Sequence, residues 1–141
     1  MAGRSFLDAN ILVYTDDHDA PGKQARALEL VERARLEGWG VVSTQVLQEY
    51  YVAATAKLGV PVDVARRKVE LFGRLHLVQI DLPDILGAVD LLRIHGISFW
   101  DALILRAAQR AGCASLLTED LQHGMRFDSV VVENPFQDLR A

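Results

Sequence analysis

Short apolar segments alternate with longer helix-like segments along the chain. Strands are predicted where apolar residues run together, at 4–8, 40–43, 76–80, 114–117 and 127–132. Helices are predicted where apolar residues recur every three or four positions, at 10–14, 22–37, 46–58, 62–74, 84–95 and 98–111. Strands joined through helices must run mostly parallel. The alternation therefore predicts an α/β fold with a mainly parallel sheet covered on both faces.

Length and composition favour one globular domain over residues 1–141. The chain has 141 residues, close to the roughly 150 of a typical single domain. No internal repeat or low-complexity tract interrupts it, and its prolines fall between the predicted elements. Half of the residues are hydrophobic and the mean hydropathy is +0.12. No apolar run approaches the roughly 20 residues that a membrane span needs.

The N-terminal segment and the cysteine usage predict a cytoplasmic protein without a membrane partner. Arg4 precedes an apolar stretch, but Asp8 and Asn10 interrupt it well short of the hydrophobic region of a signal peptide. Cys113 is the single cysteine and cannot form an internal disulfide. This usage agrees with a reducing compartment.

The net charge argues against binding nucleic acid through a broad basic surface. Fifteen basic residues stand against 19 acidic ones, giving a net charge of −4, so the overall field repels a polyanion. A bound divalent cation would reverse the local sign and attract phosphate. The positions of the carboxylates therefore matter more for function than the net charge of the chain.

Four acidic residues are predicted at the edge of the sheet where the parallel strands end. Asp8 ends the first strand, Glu49 lies in the helix after the second strand, and Asp101 is in the first turn of the helix that starts near Ser98. Asp120 follows the strand that ends at Leu117. In such sheets ligands bind outside the carboxyl ends of the strands. Clustered carboxylates there favour Mg²⁺ or Mn²⁺.

Each of these acids also has a purely structural interpretation. Asp8 fits an N-cap, and Ser98 with Asp101 fits a capping box. Glu119, next to Asp120, is an equal candidate for the fourth acid on spacing alone. Asp81 reaches the same edge but is better explained as a helix cap. Against a structural role, neither Glu49 nor Asp101 has a basic residue four positions later.

Other chemistries lack their motifs. No histidine spacing suggests zinc, and the chain has no glycine-rich nucleotide loop and no serine-hydrolase elbow. An aspartyl-phosphate enzyme needs a lysine at a strand end near the acid, whereas the lysines lie within or beside predicted helices. A non-enzymatic interaction module, with its acids acting only as caps and surface charges, is the other alternative. Four aromatic residues are expected in the core or at an interface: Tyr50, Tyr51, Phe99 and Trp100.

Four segments together resemble the PIN domain family, and in particular the small VapC-like toxins of toxin–antitoxin pairs. The segments are FLDANILVY, VVSTQVLQEYYVA, ISFWDALILRAA and LLTEDL. They occur in order and at family-like spacing over nearly the whole chain. The resemblance implies a three-layer α/β/α sandwich, Rossmann-like, with an acidic site that binds Mg²⁺ or Mn²⁺ and cleaves RNA.

The resemblance also implies roles for individual residues and partners. Asp8 and Asp101 match acids expected to bind the metal directly, and Glu49 and Asp120 match acids that bind through water or complete a second site. Polar positions that would support the metal or the phosphate are matched by Asn10, Ser43 and Thr118. The resemblance further implies a cognate antitoxin, and the apolar excess of a small chain suggests a homodimer. A PIN nuclease of RNA maturation or decay is the alternative within the family.

Overall fold

The computed structural model describes residues 3–139, so that residues 1, 2, 140 and 141 of the predicted domain lie outside the described part. The strands are β1 (Ser5–Leu7), β2 (Gly40–Ser43), β3 (His76–Val78), β4 (Ser115–Leu117), β5 (Arg126–Phe127) and β6 (Val130–Glu133). The helices are α1 (Ala9–Tyr14), α2 (Pro21–Glu37), α3 (Thr44–Ala56), α4 (Val62–Phe72), α5 (Leu82–His95) and α6 (Phe99–Arg110).

The sheet is mainly parallel, as the alternation of strands and helices predicts. Its strand order is β3-β2-β1-β4-β6-β5, and among the strands of residues 3–139 only β5 runs antiparallel to its neighbour. From β1 the chain builds outward to β3 and then returns to place β4 on the other side of β1. The strand order therefore reverses between β1 and β4, where the carboxyl ends of the two strands open a crevice.

Buried apolar side chains on the strands form the core between the helical layers. Phe6, Val41, Val42, Leu116 and Val132 are fully buried, as expected for parallel strands covered on both faces. The packing is close enough to demand a glycine at the start of β2: a Cβ atom on Gly40 would lie 2.7 Å from Cβ of Ala34 on α2. Such a separation forces a backbone shift, so any side chain at this position disrupts the packing of α2 on the sheet.

The predicted strand 127–132 is wrong as one strand. The structure divides it into β5 and β6, which pair antiparallel around a two-residue turn at Asp128 and Ser129. Asp128 has a φ of 54°, a left-handed conformation that aspartate tolerates better than most side chains. The third predicted strand is also shorter, because β3 ends at Val78.

Two further sequence predictions concern single residues. Cys113 is buried just before β4, and burial raises the pKa of its thiol to about 11. Trp100, expected in the core or at an interface, is 61% exposed, so it is not a core residue. Among residues 3–139, no helix combines the length and the apolar character needed to cross a bilayer.

Candidate functional site

Three of the four predicted acids line one cleft at the carboxyl edge of the sheet. The cleft has a volume of about 820 Å³, and its walls include Asp8, Glu49 and Asp120. Asp8 directly follows β1, and Asp120 lies three residues after β4, its neighbour in the sheet. The cleft therefore opens where the strand order reverses, which is the usual ligand position in open α/β sheets.

Asp8 is the buried acid of the cleft, with 7% of its surface exposed. Its Oδ1 accepts a hydrogen bond from the Ala9 N–H at 2.7 Å, and its Oδ2 accepts one from the Thr118 hydroxyl at 2.8 Å. Burial raises the pKa of Asp8 to about 6, although these two hydrogen bonds oppose the shift, and the charges of Asp120 and Glu49 raise it further. The predicted N-cap role is confirmed, and the same carboxylate also faces the cleft.

Thr118 connects three of the predicted site residues. Its hydroxyl accepts hydrogen bonds from the Asn10 amide at 3.1 Å and from the Asp120 N–H at 3.0 Å. A hydroxyl has one proton to donate, and that proton goes to Asp8. Thr118 is fully buried. It therefore does not face the cleft, and it fixes the positions of the acids through hydrogen bonds beneath the cleft surface.

Glu49 and Asp101 complete the group of acids through their charges. Partial burial raises the pKa of Glu49, contact with the Gln45 amide offsets part of that shift, and the charges of Asp101 and Asp120 raise it again. The Ser98 hydroxyl caps α6 by accepting from the backbone N–H of Asp101 at 3.1 Å. This cap does not use the Asp101 carboxylate, which makes no hydrogen bond or ion pair within the described residues.

The structure separates the roles of Glu119 and Asp120. Glu119 accepts a hydrogen bond from the Tyr14 hydroxyl at 2.5 Å and forms an ion pair with Lys23 at 3.1 Å. Lys23 also donates to the Tyr14 hydroxyl at 3.2 Å. Only the backbone of Asp120 is engaged by Thr118, and its carboxylate is the one whose charge raises the pKa of Asp8 and Glu49. Of the two, Asp120 is therefore the available acid.

Two further oxygen atoms near the acids are buried without a hydrogen-bond partner in the described part of the chain. They are Oδ1 of Asn10 and Oε1 of Gln45, both on residues that line the cleft. A buried acceptor without a hydrogen bond is costly unless it serves a ligand. Together with the carboxylates they form an all-oxygen donor set, which suits a hard divalent cation.

The carboxylates do not stand in a closed coordination shell. Within residues 3–139, no three His, Cys, Asp or Glu side chains are arranged so that they could already hold a metal ion. Mg²⁺ does not need such a cluster, because it keeps several waters and binds through one or two carboxylates together with substrate phosphates. The donor chemistry of the cleft therefore fits Mg²⁺ or Mn²⁺.

Comparison of the sequence with family models identifies the fold family. Residues 5–126 match the PIN domain. The chain belongs to the PIN domain family. The match includes all four predicted acids, and the α/β architecture with its mostly parallel sheet is the one expected of a PIN domain. No curated protein matches the sequence at a significant level.

Solved structures similar to this PIN domain include a toxin–antitoxin complex, a toxin and a protein bound to promoter DNA. A toxin–antitoxin complex from Klebsiella pneumoniae is 21% identical with a TM-score of 0.65, covering 93% of this chain and 97% of that one. VapC20 of Mycobacterium tuberculosis, a toxin that cleaves the sarcin–ricin loop, is 17% identical with a TM-score of 0.63, covering 79% and 86%. VapBC2 from Rickettsia felis, bound to a promoter DNA fragment, is 20% identical with a TM-score of 0.63, covering 92% and 97%. At these identities the likeness establishes the fold.

Some predicted site residues of the PIN domain lie away from the cleft. Ser43 is fully buried, and its hydroxyl caps α3 by accepting from the Val46 N–H at 3.3 Å, so its position does not favour contact with a phosphate. Asp81 is confirmed as a cap, because it forms a capping box with Asp84.

Sequence reasoning missed other residues at the cleft. Gln45, Lys57 and Trp100 line its walls, and Lys23 reaches Glu119 from α2. The lysines therefore approach the acidic edge from helices and not from strand ends, where a lysine near the acids would have been expected. Gln45, a polar residue in the first turn of the helix that follows β2, is the kind of signal that could have been used.

Proposed function

We propose that this PIN domain is a divalent-metal-dependent endoribonuclease and that residues 1–141 form a single nuclease domain. One observation carries the proposal. The buried Asp8 lies in a cleft between β1 and β4 together with Glu49 and Asp120, beside unpartnered oxygens of Asn10 and Gln45. A carboxylate with a raised pKa is expensive to ionise in the absence of a cation, and perturbed pKa values cluster at functional sites.

The residues of the chain suit hydrolysis of a phosphodiester. When bound, Mg²⁺ or Mn²⁺ would make a water molecule more acidic and would neutralise charge on the phosphate. Asp8 and Asp101 would hold the ion directly, and Glu49 and Asp120 would hold it through water or complete a second site. Thr118 keeps the Asp8 carboxylate oriented by donating its hydroxyl proton to Oδ2, and Asn10 adds its Oδ1 to the same wall.

The test is cleavage of RNA by the purified protein in Mg²⁺, in Mn²⁺ and in EDTA. Asp8→Asn and Asp101→Asn should each abolish the activity, because each removes a charged ligand and leaves the backbone caps intact. Asp90→Asn is the matched control, since Asp90 is exposed on α5 and outside the cleft. Cleavage that persists in EDTA, or equally in both site variants, would exclude the metal-dependent mechanism at this cleft.

We further propose that the nuclease acts as a toxin with a cognate antitoxin. The fold is similar to proteins described as toxins or toxin–antitoxin complexes. An apolar groove between α3 and α4 is lined by Leu47, Tyr51, Val62 and Val69 and continues into the cleft along Val52, which suits a partner segment near the acids. Expression of the chain alone should arrest growth, and co-expression of a neighbouring small gene should restore it. A harmless active nuclease would favour a role in RNA maturation or decay.

A homodimer is the remaining part of this proposal. Exposed apolar side chains project from α5 at Leu82, Ile85 and Leu86, and such a surface is typical of an interface. Light scattering coupled to gel filtration should give a mass of twice 15.6 kDa. Leu86→Asp should shift it to one monomer.

A further inference from the structure

We propose that Trp100 and Lys57 form the RNA-binding walls of the cleft, with Trp100 stacking on an unpaired base and Lys57 contacting a backbone phosphate. The inference rests on the proposed function, because it concerns how the same cleft holds its substrate. Both residues line the cleft that contains Asp8 and Asp120. Neither residue belongs to the acidic group that would hold the cation.

The Trp100 side chain is exposed although its backbone is firmly held. The residue is 61% exposed, an unusual amount for the largest apolar side chain. Its ring meets the neighbouring Phe99 ring nearly at right angles, with centroids 5.2 Å apart, so the two rings do not stack flat. Its carbonyl accepts from the Gln45 amide at 3.4 Å. An exposed aromatic ring on a fixed helical turn is a suitable platform for a base.

The position of Trp100 in the chain ties the platform to the acids. It is the second residue of α6, directly before Asp101, and the Ser98 cap fixes the first turn of that helix. Because Trp100 lines the same cleft as Asp8 and Asp120, a base stacked on it would place the adjoining phosphate near these acids. On the RNA, a bound cation would contact the phosphate and not a base, so contact with a base has to come from a protein side chain.

The charges that line the cleft leave one basic group for the RNA backbone. Five of the lining residues are acidic: Asp8, Asp17, Glu49, Glu119 and Asp120. Lys57 is the one basic residue among those lining this cleft, and it makes no ion pair within residues 3–139. Lys23 is already paired with Glu119. A polyanion that enters this acidic cleft is repelled except at the cation and at Lys57.

Binding of RNA should respond to the aromatic character of residue 100. The probe is a fluorescently labelled single-stranded RNA of about ten nucleotides, roughly one binding site in length. Every arm carries Asp8→Asn to prevent cleavage. Trp100→Leu should weaken binding about 10-fold, because leucine is apolar but cannot stack, and Trp100→Phe should weaken it much less. Unchanged melting temperatures would show that the fold is retained, as expected for an exposed side chain.

Two signatures separate stacking from a general packing effect. In a Trp39→Phe background Trp100 is the only tryptophan, and its fluorescence should be quenched to saturation as RNA is added. With a series of oligonucleotides that each lack one base, the difference between Trp100 and Trp100→Leu should vanish at one position. Equal affinities for the leucine variant, or a difference that persists in every abasic oligonucleotide, would overturn the stacking role.

Salt dependence tests Lys57. Lys57→Met should lower the slope of log affinity against log salt by about 0.7, the value for one phosphate contact with a single strand. Arg93→Met is the control, because Arg93 is exposed on α5 and outside the cleft, and it should leave the slope unchanged. An unchanged slope for Lys57→Met would overturn its role.

The two proposals fail in distinguishable ways. If the wild type neither cleaves nor binds RNA, the proposed nuclease function is wrong and this inference falls with it. If the wild type cleaves RNA while the Trp100 and Lys57 variants bind as the parent does, only this inference is wrong.

Discussion

At the scale of residues, Asp8 combines a structural role with a proposed catalytic one. One oxygen caps α1 and the other accepts from Thr118, so the carboxylate has a single orientation. Burial, rather than repulsion by the other acids, is the largest cause of its raised pKa. The structure shows that desolvation dominates and that Asp120 and Glu49 add to it.

The raised pKa of Asp8 predicts the pH dependence of cleavage. Because the pKa is about 6, Asp8 is mostly ionised at pH 7 and becomes protonated below pH 6, where it stops holding a cation. Cleavage at limiting Mg²⁺ should fall as the pH drops through 6. A saturating metal concentration should move the midpoint lower, because metal and proton compete. Initial rates between pH 5 and 8 at two metal concentrations test this. The same pH midpoint at both metal concentrations would contradict it.

Glu119 and Asp120 should respond differently to loss of charge. Asp120→Asn should reduce cleavage about 10- to 100-fold, the usual cost of losing a residue that supports a metal site. Glu119→Gln should change cleavage little, because its carboxylate is occupied by Lys23 and Tyr14. It should lower the unfolding free energy by at most about 1 kcal/mol, as for other partly exposed ion pairs. Steady-state cleavage and urea unfolding measure both, and the reverse ranking would assign the fourth acid to Glu119.

At the scale of elements, α5 and α6 are joined by ion pairs to one buried carboxylate, that of Asp84. Asp84 on α5 is 1% exposed, pairs with Arg110 of α6, and lies 3.6 Å from Nε of Arg106. Burial alone would raise the pKa of Asp84, but hydrogen bonds from Asp81 and the guanidinium of Arg110 outweigh it and lower the pKa. These ion pairs hold in place the helix that carries Asp101 and Trp100.

Removing the Asp84 carboxylate should destabilise the fold. Asp84→Ala should lower the unfolding free energy by roughly 2 kcal/mol, because it removes a buried carboxylate that accepts a hydrogen bond from the charged Arg110. Since the folded pKa lies below the ordinary 3.8, this stabilisation is complete above about pH 4 and is lost as the pH falls further. Urea unfolding at several pH values measures it. Asp90→Ala, exposed on the same helix, should cost less than about 0.5 kcal/mol, and an equal cost for both variants would contradict this role of Asp84.

At the scale of the whole molecule, the acidic cleft opposes the stability of the protein without metal. The net charge is −4, and five of the acidic residues line one cleft. A site adapted to a cation is often maintained at the expense of stability. The molecule as a whole is therefore expected to be more stable with metal bound than without it.

Asp8→Asn should stabilise the metal-free protein. A carboxyl whose folded pKa is raised from 3.8 to about 6 contributes stability below pH 4, and that contribution is lost as the pH rises through 6. At pH 7 the asparagine should raise the unfolding free energy by an amount on the order of 1 kcal/mol, and the gain should vanish near pH 4.

Metal should stabilise the wild type much more than the Asp8→Asn variant. Mn²⁺ at 100 times its dissociation constant should stabilise the wild type by about 2.7 kcal/mol and the variant much less. Thermal scans with and without Mn²⁺ measure both effects. If Asp8→Asn destabilises the metal-free protein and Mn²⁺ shifts neither melting curve, Asp8 is a structural cap only.

The sequence by itself determined what local patterns encode. Apolar periodicity predicted the alternation of strands and helices. The caps at Asp8, Asp81 and Ser98 could also be predicted, because a capping side chain forms its hydrogen bond within the first turn of its own helix. Because the acids follow strands in the sequence, and the carboxyl ends of parallel strands lie at the same edge of a sheet, the sequence predicted the edge at which the acids lie. The split of the last strand at Asp128 was missed because one left-handed residue leaves little trace in an apolar run.

Only the tertiary structure decided which of these residues meet. Asp8 and Thr118 are hydrogen-bonded across 110 positions of sequence because β4 returns beside β1, and no local pattern specifies strand order. The carboxylate of Glu119 is paired with Lys23, 96 positions away in the sequence. This pairing depends on how α2 packs. The exposure of Trp100 likewise depends on how α6 packs against the neighbouring elements. Contacts between distant segments are set by packing, which the sequence encodes only through the whole fold.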